Sequence, residues 1–245
     1  MKERVMCMRL TCLGVNGPFP AAEGATSGYL VQTGSETIGM DLGSGTLAAL
    51  TALTPPEDMT ALLLSHWHYD HCCDLLPLIF RLEAMGRPLT VYAPVDENSL
   101  VRRAAQACGM IRLVDVASGD VIGLGGTQVT VHQARHPVPA VMYRLQAEGR
   151  TLCYTGDTNT VEGLADFARG ADLLLADGLF TAALWAEGKP HLSAELAAAV
   201  AAEAGVGKLV LTHLNPAIDP ETLLREARAV RPDALMARRL ASFEV

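Results

Sequence analysis

Three histidines and one aspartate fall within six consecutive positions of this sequence: His66, His68, Asp70 and His71. The apolar run 61–64 precedes them and predicts a buried strand, so the cluster falls on the loop at the strand's end. In an extended segment His66 and His68 point the same way and can bind one cation together. Asp70 and His71 follow the turn and can bind a second cation. A single histidine is most often structural, but four ligand-type residues at this spacing favour a site for Zn²⁺, Mn²⁺ or Fe²⁺.

Three more polar residues follow predicted strands farther along the chain, where a site built at strand ends collects its side chains. His136 ends a predicted strand, Asp157 follows another through Gly156, and His213 ends the strongly apolar run 209–212. Each of them alone is more often structural. Together with the first cluster they supply seven ligands, enough for two metal ions that share one bridging carboxylate.

The composition is typical of a globular enzyme rather than a disordered or fibrous protein. The chain has 245 residues, of which 50% are hydrophobic, 5% aromatic and 19% charged, and its net charge is −8. A chain of this length can bury a full core, and no compositional shift marks a boundary, so we expect one domain over residues 1–245. An acidic surface repels a nucleic-acid backbone, although a local basic patch or a metal pair can still bind one phosphate.

The sequence indicates a reduced, cytoplasmic protein. No apolar run is long enough to span a bilayer, and the N-terminal residues lack the apolar core of a signal peptide. The six cysteines form no CxxC pair and no framework spacing. Cys72 and Cys73 adjoin the histidine cluster, but we expect them to pack at the start of the next helix. The first predicted strand begins at Met8, which makes Met8 a candidate natural start beside Met1.

Hairpins and strand–helix alternation are mixed along the chain, which predicts two packed sheets flanked by helices. The predicted strands are a short one at Leu62 and the segments 8–13, 29–32, 37–40, 89–93, 111–116, 128–134, 141–146, 151–154, 172–176 and 208–212. The predicted helices are 47–53, 74–85, 97–108, 161–169, 194–204 and 220–230. A loop rich in Gly and Pro occupies 14–28, and its Phe19 is a candidate pocket residue, as is Trp185.

The spacing His66-x-His68-x-Asp70-His71 resembles the HxHxDH signature of the metallo-β-lactamase superfamily. Within that superfamily the chain is most similar to the ribonuclease Z-like branch and the small phosphodiesterase-like proteins related to it. The supporting segments are 25–29, 40–45, 154–158 and 171–174. The resemblance implies an α+β fold, the αββα four-layer sandwich, with a dinuclear metal site at one edge of the two sheets.

The resemblance also implies a role for each candidate residue. Three histidines would hold one metal, and an aspartate with two histidines the other: His66, His68 and His136 in the first group, and Asp70, His71 and His213 in the second. Asp157 would bridge the two metals. His191, which precedes a predicted helix, would be the proton donor, with a helix-flanking surface residue as its alternative reading. No motif position claims His132, which we expect to be structural.

Positions at which this sequence differs from the family pattern limit the expected classes of substrate. Members that process transfer RNA carry a long arm between the ligands that correspond to His136 and Asp157, whereas here twenty residues separate the two. The family's His-Glu pair is replaced by Ala176-Asp177. Transfer RNA is therefore not the expected partner. True β-lactamases lack the bridging aspartate, so Asp157 argues against antibiotic hydrolysis. Glyoxalase II members keep that aspartate but add a helical C-terminal domain, for which we expect no room in this chain.

The implied function is hydrolysis by two divalent metal ions, with zinc expected and manganese or iron as alternatives. A metal-bridging hydroxide, oriented by Asp70 and Asp157, would attack a small phosphodiester such as a cyclic nucleotide, and His191 would protonate the leaving group. Lactones, thioesters and sulfate esters are the alternative substrates on the same site. A metal-bearing binding or sensor protein is the alternative without turnover. The expected partner is a small molecule, and superfamily members are often homodimers.

Overall fold

In the computed structural model, which describes residues 8–245, two mixed seven-stranded sheets pack face to face. The first sheet has the strand order β14-β1-β2-β3-β4-β5-β6, and the second has the order β13-β12-β11-β10-β9-β8-β7. The first sheet contains β1 (Arg9–Gly14), β2 (Gly28–Gln32), β3 (Thr37–Leu42), β4 (Ala61–Leu63), β5 (Leu89–Ala93), β6 (Ile111–Asp115) and β14 (Ser242–Glu244). The second contains β7 (Val121–Leu124), β8 (Thr127–Gln133), β9 (Val141–Ala147), β10 (Arg150–Tyr154), β11 (Leu173–Asp177), β12 (Lys208–Thr212) and β13 (Leu235–Met236).

Helices cover the outer face of each sheet. They are α1 (Thr46–Leu53), α2 (Tyr69–Cys72), α3 (Leu75–Met85), α4 (Leu100–Ala107), α5 (Leu164–Ala168), α6 (Ala194–Glu203) and α7 (Pro220–Val230). Helices α1, α3 and α4 share a core with the first sheet, whereas α5, α6 and α7 pack on the second. The predicted αββα sandwich is therefore confirmed. Within residues 8–245, no helix has the length and apolar character needed to cross a membrane.

The two cores follow from strand alternation. On β2, Leu30 joins the core beneath the helices, while Tyr29 and Val31 join the core between the sheets. On β4, Leu62 and Leu63 divide in the same way. Successive side chains of a strand point to opposite faces, so apolar runs of this kind fit strands that are buried on both sides.

The strands that precede the candidate residues end at one edge of the sandwich. In the first sheet β3 and β4 are parallel, and in the second β10, β11 and β12 are parallel. Strand β8 runs in the same direction as β10, because both are antiparallel to β9. At this edge Tyr154, the last residue of β10, donates a hydrogen bond of 2.6 Å to Asp41 near the end of β3. Loops that follow these strands therefore converge.

The predicted elements differ from the structure mainly at their ends. The sequence pattern predicts helix α4 from residue 97, but the helix begins at Leu100, because the Ser99 hydroxyl accepts a hydrogen bond from the Arg102 amide and caps it. The pattern predicts helix α5 from residue 161, but that helix begins at Leu164, after Gly163 at φ 79°. The short strands β7, β13 and β14, which have four, two and three residues, were not predicted.

A buried carboxylate joins the two sheets at the side of the sandwich away from the candidate residues. Glu36, beside the β2–β3 turn, accepts hydrogen bonds from Thr33 (2.6 Å), Ser35 (2.6 Å), the Gly126 amide (3.0 Å) and Thr127 (3.0 Å). Burial alone would raise the pKa of Glu36, but these four hydrogen bonds outweigh it and lower the pKa below its ordinary value. The ionised side chain thus stabilises the fold.

We expect Glu36→Gln to lower the free energy of unfolding at pH 7 by about 1–3 kcal/mol, since buried donors lose their charged acceptor. The folded pKa lies below the unfolded one, so this contribution is complete above the unfolded pKa of about 4.3 and is lost as pH falls through the folded pKa. Urea unfolding of wild type and variant at several pH values measures it. The exposed Glu162→Gln is the control, and a Glu36→Gln protein as stable as wild type at pH 7 contradicts the prediction.

Candidate metal centre

The first histidine cluster leaves β4 in an extended conformation. His68 has φ −66° and ψ 147° and directly precedes α2. Trp67 points to the opposite side, where its buried indole donates a hydrogen bond of 2.7 Å to the Pro94 carbonyl. His66 and His68 consequently lie on the same side, with Nε2 of His66 3.0 Å from Nδ1 of His68. This is the arrangement that their spacing predicts.

His136 completes the first group of ligand-type side chains. It lies in the loop after β8, and its Nε2 is 3.0 Å from Nδ1 of His68. Asp157, in the loop after β10, directs Oδ2 toward the same point: this oxygen is 3.6 Å from Nε2 of His66 and 3.9 Å from Nε2 of His136. Three imidazoles and one carboxylate oxygen therefore face each other at a spacing that one cation can bridge.

The second group lies on the other side of the same carboxylate. Oδ1 of Asp157 is 3.1 Å from Nε2 of His71 and 3.3 Å from Nδ1 of His213, which follows β12. Oδ2 of Asp70 is 3.6 Å from Nε2 of His71 and 3.9 Å from Nε2 of His213. The two oxygens of Asp157 thus face separate groups. The structure brings all seven candidate residues together.

Unpaired polar atoms test whether this arrangement suits metal ions. Four buried atoms of the second group have no hydrogen-bond partner: Asp70 Oδ2, His71 Nε2, Asp157 Oδ1 and His213 Nε2. A buried polar atom without a partner is costly, and four of them converging on one point are not explained by hydrogen bonding. Carboxylate oxygen and imidazole nitrogen are ligands for divalent transition metals. The residues present therefore fit a metal ion here.

Asp41 orients the rings from behind, and sequence reasoning missed it. Its Oδ2 accepts hydrogen bonds from Nδ1 of His71 (2.7 Å) and from the hydroxyls of Ser65 (2.8 Å) and Tyr154 (2.6 Å). Because Ser65 donates to Asp41, its oxygen is free to accept from Nδ1 of His66 at 3.0 Å. With Nδ1 protonated in both rings, Nε2 carries the lone pair toward the site. Asp41 has φ 55°, an uncommon conformation for a residue other than glycine.

Two other rings are oriented in the same way. His136 donates a hydrogen bond from Nδ1 to the Pro190 carbonyl at 3.2 Å, which leaves its Nε2 unprotonated. The Ser27 hydroxyl lies 2.9 Å from Nδ1 of His213. Outer contacts of this kind fix the tautomer and ring orientation of metal-ligating histidines.

The pKa shifts of the buried histidines indicate that the site favours a bound positive charge. Burial lowers the pKa of His66 and His213 well below the ordinary value, so both rings are neutral, as metal ligands must be. His71 behaves oppositely: burial disfavours its charged form, but the three carboxylates around it outweigh burial and raise its pKa well above the ordinary value. Nε2 of His71 therefore binds a proton, and a metal cation could replace that proton.

The two candidate ligand carboxylates respond differently to burial. Burial would raise the pKa of Asp157, but the surrounding histidines outweigh it and lower the pKa well below its ordinary value. Asp70 has fewer compensating neighbours, and burial raises its pKa to about 6. Cations bound between these groups would favour the ionised form of both.

His191 lies beside the two groups and is paired with an aspartate that sequence reasoning did not assign to the site. Its Nδ1 donates a hydrogen bond of 2.8 Å to Oδ2 of Asp177, the last residue of β11. Burial disfavours the imidazolium, but Asp177 and Asp157 outweigh it and raise the pKa of His191 to about 9. The Ala176-Asp177 pair, noted as a departure from the family, thus supplies a carboxylate at a strand end. His191 is buried, which excludes a solvated surface role.

Other residues considered from the sequence lie outside the ligand groups. His132 packs against Phe167 at 4.9 Å between ring centroids. The Arg144 guanidinium donates a hydrogen bond of 2.9 Å to the Phe167 carbonyl. Cys72 is buried in α2 and packs in the core beneath the helices. Phe19 is 49% exposed, which leaves it available at the surface.

Comparison with known proteins agrees with this geometry. The beta-lactamase superfamily domain matches residues 22–214, which is most of the chain. YhfI of Bacillus subtilis, described as a probable metallo-hydrolase, is 32% identical over 232 residues, covering 91% of this chain and 93% of YhfI. The crystal structure of YhfI has a TM-score of 0.90 at 30% identity and covers 97% of this chain and 99% of its own.

Two further comparisons involve ribonuclease Z proteins. Ribonuclease Z of Methanosarcina acetivorans is 27% identical over 300 aligned positions, covering 97% of this chain and 98% of the relative. That alignment is longer than the 245-residue chain, so the relative carries segments that this chain lacks. The short form of human tRNase Z shares the fold, with a TM-score of 0.79 at 18% identity and coverage of 97% and 99%. The chain belongs to the metallo-β-lactamase superfamily and is a metal-dependent hydrolase of that family.

Proposed function

We propose that this protein is a dinuclear phosphodiesterase that hydrolyses a small phosphodiester such as a cyclic nucleotide. Three histidines would hold one divalent ion, an aspartate and two histidines would hold the other, and Asp157 would contribute to both: His66, His68 and His136, then Asp70, His71 and His213. The observation that carries the proposal is Asp157, whose two buried oxygens face the two ligand groups separately. The many imidazole ligands make zinc the favoured ion, with manganese or iron as alternatives.

The chain's own residues account for attack and for departure of the leaving group. When bound, the divalent ions supply Lewis-acid activation of water and of a phosphoryl oxygen. Asp70 and Asp157 accept hydrogen bonds from the attacking water and orient it. His191, held as an imidazolium by Asp177, delivers a proton to the leaving alkoxide. Bound cations nearby would lower the pKa of His191, which eases that transfer.

One relative supports a phosphodiester over a carboxylic ester as the substrate. The buried, charged His191 would protonate an unactivated alkoxide leaving either kind of ester. Among the relatives, ribonuclease Z of Methanosarcina acetivorans is named for cleavage of a nucleic acid, whose backbone is a phosphodiester. The twenty residues between His136 and Asp157 form only the β9–β10 hairpin and its connections, so we propose a small substrate rather than transfer RNA.

The proposal is tested by an activity panel on protein reconstituted with zinc or manganese. The panel contains bis-p-nitrophenyl phosphate, cyclic nucleotides, a lactone, a thioester and a sulfate ester, with chelator-treated protein as the blank. Turnover of phosphodiesters above the other classes supports the proposal. Preference for another ester class replaces the substrate, and a metal-loaded protein inert toward the whole panel favours a binding or sensor protein.

We expect His191→Ala to reduce hydrolysis of an alkyl phosphodiester by about 10²–10⁴-fold, the usual contribution of a general acid. A p-nitrophenyl ester should lose far less, because p-nitrophenoxide leaves without protonation. Steady-state kcat/KM on both esters measures the difference. The control is His132→Ala, which removes a half-buried histidine outside the ligand groups. Equal losses on the two esters contradict the role of proton donor.

A further inference from the structure

A cavity of about 160 Å³ opens beside the first ligand group, between segments 135–137 and 187–190. His136 forms part of its wall and directs its other edge toward His68. Pro190 lines the cavity and directly precedes His191. The cavity therefore adjoins both the metal centre and the proton donor. We call it the flanking cavity.

Two cationic residues, Arg135 and Lys189, line the flanking cavity. Arg135 donates from Nη1 to the Thr160 carbonyl at 3.3 Å and from Nη2 to the Glu187 carbonyl at 3.0 Å. These bonds fix the guanidinium and leave three of its five N–H groups for other acceptors. Lys189 donates a hydrogen bond from Nζ to the Leu184 carbonyl, and the same Nζ lies 4.6 Å from the centroid of the Phe180 ring. Within residues 8–245, neither Arg135 nor Lys189 forms an ion pair with a carboxylate.

The lack of a carboxylate partner for Arg135 and Lys189 is notable because the chain as a whole is acidic, with net charge −8. Glu187 is the acidic residue that lines the cavity, and its side chain is exposed. A fixed guanidinium that offers several donors matches the oxygens of a phosphoryl group. The lining is thus suited to an anion next to a site whose substrate is itself anionic.

One buried amide holds the wall of the flanking cavity in place. Asn159 is fully buried and donates from Nδ2 to the carbonyls of Lys189 (2.6 Å) and Ala186 (3.1 Å). Its Oδ1 accepts from the Trp185 indole at 3.0 Å. These contacts fix the segment that carries Lys189 before any ligand arrives. A preorganised wall loses little entropy on binding, which favours a specific subsite.

We propose that the flanking cavity binds a second phosphoryl group of the substrate. The inference rests on the proposed phosphodiesterase function and defines its substrate class as a phosphodiester that carries an additional phosphate. Because the cavity adjoins His191, the additional phosphate belongs to the leaving-group side. The volume of about 160 Å³ is ample for a phosphoryl group, since one water needs roughly 10–15 Å³ of such space. Arg135 and Lys189 are then specificity-determining residues.

The test compares two nucleotides that differ in one phosphate. Isothermal titration calorimetry on zinc-reconstituted protein measures the Kd of adenosine 5′-monophosphate and of adenosine 3′,5′-bisphosphate. We expect the bisphosphate to bind at least about tenfold more tightly, as new charge-assisted hydrogen bonds require. In the double variant R135Q/K189Q the ratio of the two Kd values should fall to within about twofold of one. Glu187→Gln, which removes the nearby negative charge, should keep or increase the ratio.

A control for loss of positive charge elsewhere is Arg103→Gln, which removes one such charge from α4, a helix without candidate ligands, and should leave the ratio unchanged. Equal Kd values in wild type, a preference that survives in the double variant, or failure of both nucleotides to bind would overturn the proposal. The readout is binding, so failure of the subsite is distinguishable from failure of the phosphodiesterase function, which the activity panel measures.

Discussion

An Asp157→Asn variant is expected to lose hydrolysis of phosphodiesters by on the order of 10³-fold and to bind fewer than two metal ions per chain. The substitution keeps the shape of the side chain but removes its charge and replaces one oxygen with an amide donor. Because each oxygen of Asp157 faces a different ligand group, either orientation of the amide turns a donor toward one of them. Inductively coupled plasma mass spectrometry after zinc reconstitution gives the metal content, and kcat/KM gives the activity.

The control for Asp157→Asn is Asp166→Asn, the same change at an exposed aspartate on α5. It should retain wild-type metal content and activity. A correctly folded Asp157→Asn protein with two metals and wild-type activity would show that Asp157 does not bridge. Circular dichroism and the unfolding midpoint separate loss of metal from loss of fold.

A Gly17→Ala variant should lose metal from the second ligand group while it retains the first. Gly17 packs against the His213 ring, and a Cβ added there would lie 2.0 Å from Cε1 and 2.1 Å from Nε2. Non-bonded atoms do not approach so closely, so either the His213 ring or the loop that carries residue 17 must move. The Gly17 amide is held to the Leu214 carbonyl at 3.1 Å, which opposes movement of the loop. We therefore expect His213 to be displaced, with about half the metal content and a loss of activity of at least about 10²-fold.

The matched control is Gly109→Ala, because a Cβ there meets no atom within 4 Å and the backbone has an ordinary φ. This variant should be indistinguishable from wild type. A crystal structure of Gly17→Ala with His213 in place and full metal content would contradict the prediction. Measured together, the two variants separate a local steric effect from a general effect of replacing glycine.

The seven candidate ligands were predictable because residue type and local spacing are enough to indicate metal-binding side chains. His66 and His68 share one face through strand alternation, and His136, Asp157 and His213 each follow a strand. The sequence does not predict the direction of each side chain, because that direction depends on how the two sheets pack. That packing brings together side chains such as Asp157 and His213, which lie 3.3 Å apart yet far apart in sequence.

The supporting residues were not predictable in the same way. Asp41 and Asp177 are each one acidic residue near the end of a strand, with no neighbouring histidine in sequence to mark them. Their roles appear only when His71 and His191 are placed opposite them. Gly17 is still less visible, since its importance is a steric contact with a ring almost two hundred positions away. Local patterns thus identify chemical groups, whereas tertiary packing identifies what holds them.

The most direct test of the central claim is an anomalous-scattering crystal structure of zinc-reconstituted protein. The account predicts two zinc peaks about 3.5–4 Å apart, with Asp157 between them and ligand distances of about 2.0–2.2 Å. One peak should lie among His66, His68 and His136, and the other among Asp70, His71 and His213. A single peak, or two peaks without Asp157 between them, would contradict it.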